Sequence, residues 1–213
     1  MANEKTCVIV SSGPDCDWER LRGRLPADAF VICADGGYAH CARLGLSCSL
    51  LVGDMDSFSG DAPPASLAQI RVSSIKDDTD LELAMREGLR RGFADFLVVD
   101  SLAGRPDHVW GNVQCLWYLT QHARTAKLLS PTAEVFFLRG GEQALLLPED
   151  YRFFSLFAYA GDARGVTIEN AKYPLSDATL RPDMSLGISN EFLPGGSTVR
   201  LREGTLLVMK TRA

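Results

Sequence analysis

The sequence lacks the features that mark several common protein classes. No run approaches the ~18 consecutive apolar residues of a membrane-spanning helix, and no basic segment followed by an apolar stretch opens the chain. Positive charge is also scarce, since 22 Lys and Arg face 27 Asp and Glu, for a net charge of −5. We therefore expect a cytoplasmic protein that does not insert into a membrane and does not bind nucleic acid broadly.

Familiar catalytic and nucleotide-binding motifs are missing as well. The chain has no G-x-x-x-x-G-K-[ST] phosphate loop, no G-x-G-x-x-G dinucleotide fingerprint, no G-x-S-x-G elbow and no H-E-x-x-H zinc motif. No pair of its cysteines has the C-x-x-C spacing of zinc or redox sites. We expect the six cysteines to be reduced residues of the core: Cys7, Cys16, Cys33, Cys41, Cys48 and Cys115.

What is present indicates a globular protein of one or two domains. Of its 213 residues, 46% are hydrophobic and 23% charged, which is typical of a folded soluble chain. In the first part, predicted strands (6–11, 29–34, 49–53, 71–75 and 95–100) alternate with predicted helices (17–24, 37–44, 62–69, 79–91 and 107–123). These strands are continuously apolar, as in parallel sheets that are buried on both faces. We predict an α/β domain over residues 1–130, with an open, mostly parallel sheet and flanking helices.

The clearest predicted helix is 79–91. Thr79 and Glu82 have the spacing of a capping box, and Gly92 occupies the position at which helices commonly end. An apolar stripe at i, i+3, i+4, i+7 and i+8 marks the buried face: Leu81, Ala84, Met85, Gly88 and Leu89.

The pattern changes after residue 130. Strand-like segments (133–139, 142–147, 152–158, 165–169, 197–202 and 205–210) are separated by glycine pairs and other turn residues. No segment is long and periodic enough to predict a helix. We predict a second, all-β domain over 131–213, built as a sandwich or barrel.

Aspartates follow three predicted strands, in the motifs ADGG (34–37), GDMDS (53–57) and KDDTD (76–80). Ligands of open α/β sheets bind outside the carboxyl ends of the strands, where strand order reverses. We expect these carboxylates to converge on one crevice, where their repulsion requires a cation. Mg²⁺ fits, because it binds one or two carboxylates together with substrate phosphates. Each aspartate alone has a second explanation as a loop or helix cap.

A fourth motif, AGRPDH (103–108), begins the helix that contains Asn112. Arg105 offers a planar fork for phosphate oxygens, and the helix N-terminus adds free N–H groups and partial positive charge. Asp107 is either a site residue or a helix cap, and His108 either a site residue or a surface residue of the first turn. Lys76 is either a phosphate ligand or half of a local ion pair.

These motifs, in this order, resemble those of the bacterial thiamine pyrophosphokinase (thiamine diphosphokinase) family. The later segments SLF (155–157), GVT (165–167), YPL (173–175) and GISNEF (187–192) are similar too. The resemblance implies Mg²⁺-dependent transfer of the pyrophosphoryl group of ATP to the hydroxyethyl group of thiamine, giving thiamine diphosphate and AMP. It also implies that residues 1–130 bind ATP and Mg²⁺, that residues 131–213 contribute to thiamine binding, and that the enzyme is a homodimer with its active site at the subunit interface.

The resemblance assigns roles to individual residues. The implied Mg²⁺ ligands, which are also catalytic, are Asp54, Asp56 and Asp80, and the implied catalytic cations are Lys76 and Arg105. The implied contacts to ATP are Asp35, Thr79, Asp107, His108 and Asn112, and the implied thiamine contacts are Ser189 and Asn190. Two departures stand out: Ala103-Gly104 replaces the usual glycine pair, and Tyr173 replaces a tryptophan that stacks on thiamine in animal members.

Two other functions are compatible with the acidic crevice. A pyrophosphokinase for another primary alcohol, such as a hydroxymethylpterin, would use the same crevice, and only the C-terminal motifs favour thiamine. A non-catalytic module that senses a nucleotide or thiamine would be expected to have lost metal carboxylates, and none of the expected ones is missing.

Overall fold

The computed structural model describes residues 3–14, 17–55, 63–73, 78–99 and 101–212. The chain divides into two compact units, Met1–Pro131 and Thr132–Ala213. Within the described ranges, none of the helices combines the length and the apolar character that crossing a membrane requires.

The first unit alternates strands and helices. Its elements are β1 (Asn3–Val10), α1 (Trp18–Arg22), β2 (Phe30–Ala34), α2 (Tyr38–Cys41), β3 (Leu50–Gly53), β4 (Gln69–Arg71), α3 (Asp80–Arg90), β5 (Phe93–Val99), α4 (Pro106–His122) and β6 (Thr125–Leu129). A 3₁₀ turn over Asp35–Gly37 joins β2 to α2.

The strands of this unit form a parallel sheet in the order β6-β5-β1-β2-β3-β4. The chain builds outward from β1 in one direction through β2, β3 and β4, and in the other through β5 and β6. Strand order therefore reverses at β1. The predicted fold class of this unit, an open parallel sheet with flanking helices, is confirmed.

Helices cover both faces of this sheet. On one face, α3 lies so close that a Cβ on Gly88 would be 2.6 Å from the Phe96 ring and 3.2 Å from the Cys7 sulfur. On the other face, residues of β1, β2, α1 and α2 share one core cluster, which includes Val8, Val10, Leu21, Val31, Cys33 and Cys41. Burial on both faces explains why these strands are continuously apolar.

Helix α3 confirms the prediction for 79–91. Thr79 is its N-cap, and the Thr79 Oγ1 accepts a hydrogen bond from the Glu82 N–H at 3.2 Å. Leu81, Ala84 and Met85 are buried. Gly92 follows the helix with φ 82°, a conformation that glycine adopts without steric cost.

The structure of the first unit differs from the predictions at three places. Residues 63–68 form turns and irregular chain rather than the helix predicted over 62–69, because Pro63 and Pro64 cannot donate the backbone hydrogen bonds of a helix interior. The strand predicted over 71–75 overlaps the observed β4 (Gln69–Arg71) only at Arg71, and residues 74 and 75 lie outside the described residues. Strand β6 was not predicted, because Lys127 interrupts its apolar run. The strand forms through its pairing with β5, which the sequence of β6 alone does not indicate.

The second unit is entirely β in its described residues. Its strands are β7 (Ala133–Arg139), β8 (Gln143–Leu146), β9 (Phe153–Ala158), β10 (Ala163–Glu169), β11 (Leu175–Leu180), β12 (Asn190–Glu191), β13 (Ser197–Arg200) and β14 (Thr205–Thr211). Strands β11 and β12 were not predicted.

These strands form two antiparallel layers, β12-β9-β14-β7 and β11-β10-β13-β8. One core cluster takes Phe154, Leu156 and Leu206 from the first layer and Val166, Ile168 and Val199 from the second. The side chains of two layers thus fill one interior, as in a β-sandwich. The predicted all-β sandwich is confirmed.

The close packing of α3 predicts opposite effects for two identical substitutions. Gly88→Ala should lower the free energy of unfolding by about 1–3 kcal/mol, because the new methyl group overlaps the buried Phe96 ring. Gly111→Ala, in α4, should raise it by about 0.5–1 kcal/mol, because no heavy atom lies within 4 Å of the new methyl group. Urea unfolding followed by circular dichroism measures both, and a Gly88→Ala protein as stable as Gly111→Ala would contradict this packing.

Candidate active site

A cavity of about 730 Å³ opens at the carboxyl ends of β1 and β5, in the first unit. Its walls include residues 11–14 after β1, Ala34 at the end of β2, and Ser101, Ala103 and Gly104 after β5. This is the point at which strand order reverses, since β2 and β5 flank β1 on opposite sides. Crevices at such points are the usual ligand sites of open α/β sheets.

The N-termini of two helices open into this cavity. The first turn of α3 lines it through Asp80, Leu81 and Glu82, and the start of α4 lines it through Asp107 and His108. Both helices are long enough to carry a dipole, with 11 and 17 residues. Each N-terminus contributes partial positive charge and backbone N–H groups. The cavity is therefore suited to an anion even though the chain is acidic overall.

Arg105 stands at the start of α4, paired with Asp107. The Arg105 Nη2 lies 2.6 Å from the Asp107 Oδ2, and the Asp107 Oδ1 accepts a hydrogen bond from the His108 N–H at 3.0 Å. The guanidinium holds the pKa of Asp107 below its usual value. Both side chains are largely exposed, at 73% and 62%, and exposed ion pairs are weak. A phosphate can therefore compete with Asp107 for the guanidinium.

The loop between β5 and α4 is held against the helix. The Asn112 Nδ2 donates to the Ser101 carbonyl at 2.8 Å, and Ser101 is buried. Gly104 has φ 93°, in the region that favours glycine. The observed role of Asn112 is thus to fix the loop that precedes Arg105.

An acidic corner, formed by Asp35, Gly53 and Asp54, lies at the ends of β2 and β3. Asp35 is only 6% exposed, and its Oδ1 is buried without a hydrogen-bond partner among the described residues. A Cβ on Gly53 would lie 2.9 Å from the Asp35 Cβ, so the absent side chain leaves room for this carboxylate. Asp35 and Met55 have φ 43° and 67°, an uncommon conformation for residues other than glycine.

The acidic corner fits a hard cation. A buried carboxylate oxygen without a partner is costly unless a cation or a donor meets it, and oxygen ligands are those that Mg²⁺ prefers. The described residues contain no group of three His, Cys, Asp or Glu side chains arranged to hold a metal. Mg²⁺ does not require one, because it commonly binds one or two carboxylates and completes its shell with phosphates and water.

The structure brings most of the predicted site residues to one edge of the sheet. Around the cavity lie Thr79, Asp80, Arg105, Asp107, His108 and Asn112. Asp35 and Asp54 lie in the acidic corner rather than in the cavity wall. Asp56 and Lys76 fall outside the described residues.

Ser189 and Asn190 belong to the second unit. Asn190 is 3% exposed, and its side chain holds the backbone of Tyr173: Nδ2 donates to the Tyr173 carbonyl at 2.7 Å, and Oδ1 accepts from the Tyr173 N–H at 3.0 Å. Ser189 is exposed, with φ 57°. Tyr173 is 56% exposed. Contact of Ser189 and Asn190 with thiamine stays a prediction, and the observed contacts make Asn190 a support for Tyr173.

Several cavity residues were not predicted. Residues 11–14 line the cavity, and so does one face of α4, on which Gly111, Gln114, Cys115 and Tyr118 have helical spacing. Residues 11–14 could have been predicted from the sequence, because the polar segment SSGP directly follows a buried strand. Neutral residues on a helix face carry no comparable sign of chemistry.

Two family models match the chain. Residues 23–128 match the model described as thiamin pyrophosphokinase, catalytic domain, and residues 144–206 match the model described as thiamin pyrophosphokinase, vitamin B1 binding domain. Among curated proteins, thiamine pyrophosphokinase from Bacillus subtilis is 26% identical over 97% of this chain and 99% of its own.

Solved structures share the fold. A crystal structure of thiamine pyrophosphokinase from Bacillus subtilis aligns with a TM-score of 0.87 at 24% identity, over 98% of this chain and all of the other. The enzyme from Geobacillus thermodenitrificans gives 0.82 at 22% identity, over 98% of both chains. The yeast enzyme gives 0.74 at 12% identity, over 99% of this chain and 87% of its own.

The contribution of Thr79 to the stability of α3 can be measured separately from any role of this residue in binding. Thr79→Val should lower the free energy of unfolding by about 1 kcal/mol, because it removes the oxygen that accepts from the Glu82 N–H. Thr79→Ser keeps this acceptor and should be close to wild type. The measurement is urea unfolding of both variants, and equal stability of the two would show that the hydroxyl does not stabilise α3.

Proposed function

The chain belongs to the thiamine pyrophosphokinase family, and from this membership we propose that it transfers the pyrophosphoryl group of ATP to the hydroxyethyl oxygen of thiamine with the help of Mg²⁺. The family predicted from the sequence motifs, and the enzyme class, a thiamine diphosphokinase, are confirmed. The observation that supports ATP-dependent transfer most directly is the cavity, which is lined by the N-termini of α3 and α4 and by Arg105.

ATP binds in this cavity in our proposal. Its phosphates take the place beside the N-termini of α3 and α4, where the helix dipoles favour an anion. Arg105 exchanges its pairing with Asp107 for phosphate oxygens, which match its planar fork. Asn112 supports this contact by holding the loop before Arg105 in place.

The proposed Mg²⁺ ligands are Asp54, Asp56 and Asp80. Asp80 is the first residue of α3 and lines the cavity, while Asp54 directly follows β3. The buried oxygen of Asp35 adds negative charge beside Asp54. When bound, Mg²⁺ would neutralise phosphate charge and help to orient the transferred group.

The chain itself contributes binding, orientation and proton transfer. Arg105, together with Lys76, neutralises the charge of the phosphates as the thiamine hydroxyl attacks the β-phosphorus and AMP leaves. Asp80 or Asp56 accepts the proton of that hydroxyl. Positioning and charge neutralisation account for most of the rate in reactions of this class.

Thiamine binding is assigned to the second unit. Ser189 and Asn190 lie in the segment that resembles the family motif, and Asn190 presents the exposed Tyr173. We further propose that the enzyme is a cytoplasmic homodimer whose active sites form at the subunit interface. Light scattering of the purified protein tests the oligomeric state.

The decisive experiment identifies the products by mass, after incubation of the purified protein with ATP, Mg²⁺ and thiamine. We expect thiamine diphosphate and AMP in equal amounts. Thiamine monophosphate with ADP would overturn pyrophosphoryl transfer but keep the substrate. With an active control enzyme alongside, the absence of any thiamine product would overturn the proposal, and a hydroxymethylpterin would be the next acceptor to test.

Asp35→Asn tests whether the acidic corner binds a cation. The matched control is Asp28→Asn, at the opposite end of β2. Turnover should fall about 10²–10³-fold for Asp35→Asn, because a charge that faces the cation is lost, and should be unchanged for Asp28→Asn. Without divalent cations, Asp35→Asn should be at least as stable as wild type, since a buried carboxylate oxygen that has no hydrogen-bond partner among the described residues destabilises the fold.

Thermal unfolding with and without Mg²⁺ provides a readout that does not depend on activity. Added Mg²⁺ should raise the melting temperature of wild type and of Asp28→Asn more than that of Asp35→Asn. An Asp35→Asn protein with wild-type turnover and a wild-type response to Mg²⁺ would remove Asp35 from the cation site.

A further inference from the structure

Ser101 has a buried hydroxyl to which no described residue forms a hydrogen bond. The residue lies two positions after the end of β5 and is 2% exposed. Its Oγ has no hydrogen-bond partner among the residues that the structure describes. A buried polar group without a partner costs stability, and the large majority of such groups in folded proteins are paired. The catalytic proposal gives this hydroxyl no role.

Two other buried serines, both in the second unit, have partners. The Ser155 Oγ accepts a hydrogen bond from the Ser189 N–H at 3.0 Å. The Ser197 Oγ donates to the Asn170 carbonyl at 2.8 Å. These serines belong to an interior that satisfies their hydroxyls. Ser101 differs from them in its location, because it lines a cavity.

The cavity that Ser101 lines is the one into which the N-termini of α3 and α4 open. The Asn112 Nδ2 donates to the Ser101 carbonyl at 2.8 Å, and this bond fixes the Ser101 backbone against α4. The hydroxyl changes its direction by rotation about the Cα–Cβ bond, between staggered positions. A ligand in the cavity therefore needs only this rotation, and no movement of the loop, to reach the hydroxyl.

An anion with oxygen acceptors is the ligand that fits a hydroxyl in this cavity. Ser101 offers one O–H donor, the two helix N-termini add N–H groups and partial positive charge, and Arg105 follows in the same loop. Two carboxylates of the cavity wall already have cationic partners. Glu82 lies 2.7 Å from the Arg86 Nη2, and Asp107 lies 2.6 Å from the Arg105 Nη2.

We propose, on the basis of the proposed binding of ATP in this cavity, that the Ser101 hydroxyl donates a hydrogen bond to a phosphate oxygen of the nucleotide. The hydroxyl is already shielded from solvent, so it gives up no hydrogen bond to a described residue when the phosphate arrives. Hydrogen bonds to charged groups are among the strong ones. Loss of this bond should raise the Kd for a phosphate ligand about 10- to 100-fold.

The test is calorimetric titration of wild type and Ser101→Ala with two probes, ATP and inorganic tripolyphosphate. Mg²⁺ is present and thiamine is left out, so that no acceptor for the pyrophosphoryl group is available. Ser101→Ala should raise the Kd of both probes by the same factor, because they share only the phosphates. A loss of affinity for ATP alone would place the hydroxyl at the ribose or the base and would overturn the proposal.

Ser197→Ala is the matched control, since Ser197 is equally buried but its hydroxyl is paired. This variant should melt at a lower temperature, because the Asn170 carbonyl loses its donor, and should bind both probes as wild type does. Without ligand, Ser101→Ala should melt at or above the temperature of wild type, because the substitution removes an unpaired polar group. Weaker binding without lower stability would exclude damage to the fold as its cause.

Two further results would overturn the proposal: wild-type affinity of Ser101→Ala for tripolyphosphate, or a lower melting temperature of ligand-free Ser101→Ala. Product analysis with thiamine separates this outcome from that of the proposed function. If tripolyphosphate binding depends on Ser101 but no thiamine diphosphate forms, the proposed transfer fails and the role of Ser101 stands. If thiamine diphosphate forms and Ser101→Ala binds both probes like wild type, only the role of Ser101 fails.

Discussion

The reversal of strand order at β1 is the constraint on which the candidate site depends. Because β2 and β5 pair with opposite edges of β1, the segments that leave β1 and β5 diverge and leave a crevice between them. Helices α3 and α4 both begin at this edge, so backbone dipoles supply much of its positive potential. Topology thus explains how a chain with a net charge of −5 has a cavity that is suited to an anion.

Close backbone packing directs the acidic side chains. A Cβ on Gly37 would lie 2.1 Å from the Val10 carbonyl oxygen, so only glycine lets the 3₁₀ turn rest on the end of β1. Gly53 in turn leaves space for the Asp35 side chain, and Asp35 and Met55 both have left-handed backbone. Strained backbone and a buried carboxylate oxygen without a partner among the described residues both reduce stability. The rest of the fold therefore maintains this arrangement, as is common where function requires it.

The sequence predicted an element well when the residues that determine it lie close together along the chain. Helix α3 was predictable because its cap, its apolar stripe and Gly92 lie within fourteen consecutive positions (79–92). Strand β6 was not, since pairing with β5 orders it more than its own composition does. The aspartates could be predicted because they follow buried strands. The support that Asn190 gives to Tyr173 could not, because it joins residues that are distant in sequence and come together only in the folded sandwich.

The cavity and the acidic corner differ in whether their charged groups have partners. In the cavity, the Arg105 guanidinium is paired with Asp107, in an exposed ion pair that a phosphate can replace at little cost. In the acidic corner, the Asp35 Oδ1 is buried without a donor among the described residues. A cation bound there would relieve this imbalance and attract phosphates to the adjoining cavity. Phosphates would in turn complete the shell of the cation. We therefore expect the nucleotide and the divalent cation to strengthen each other's binding, as linkage requires when each improves the site for the other.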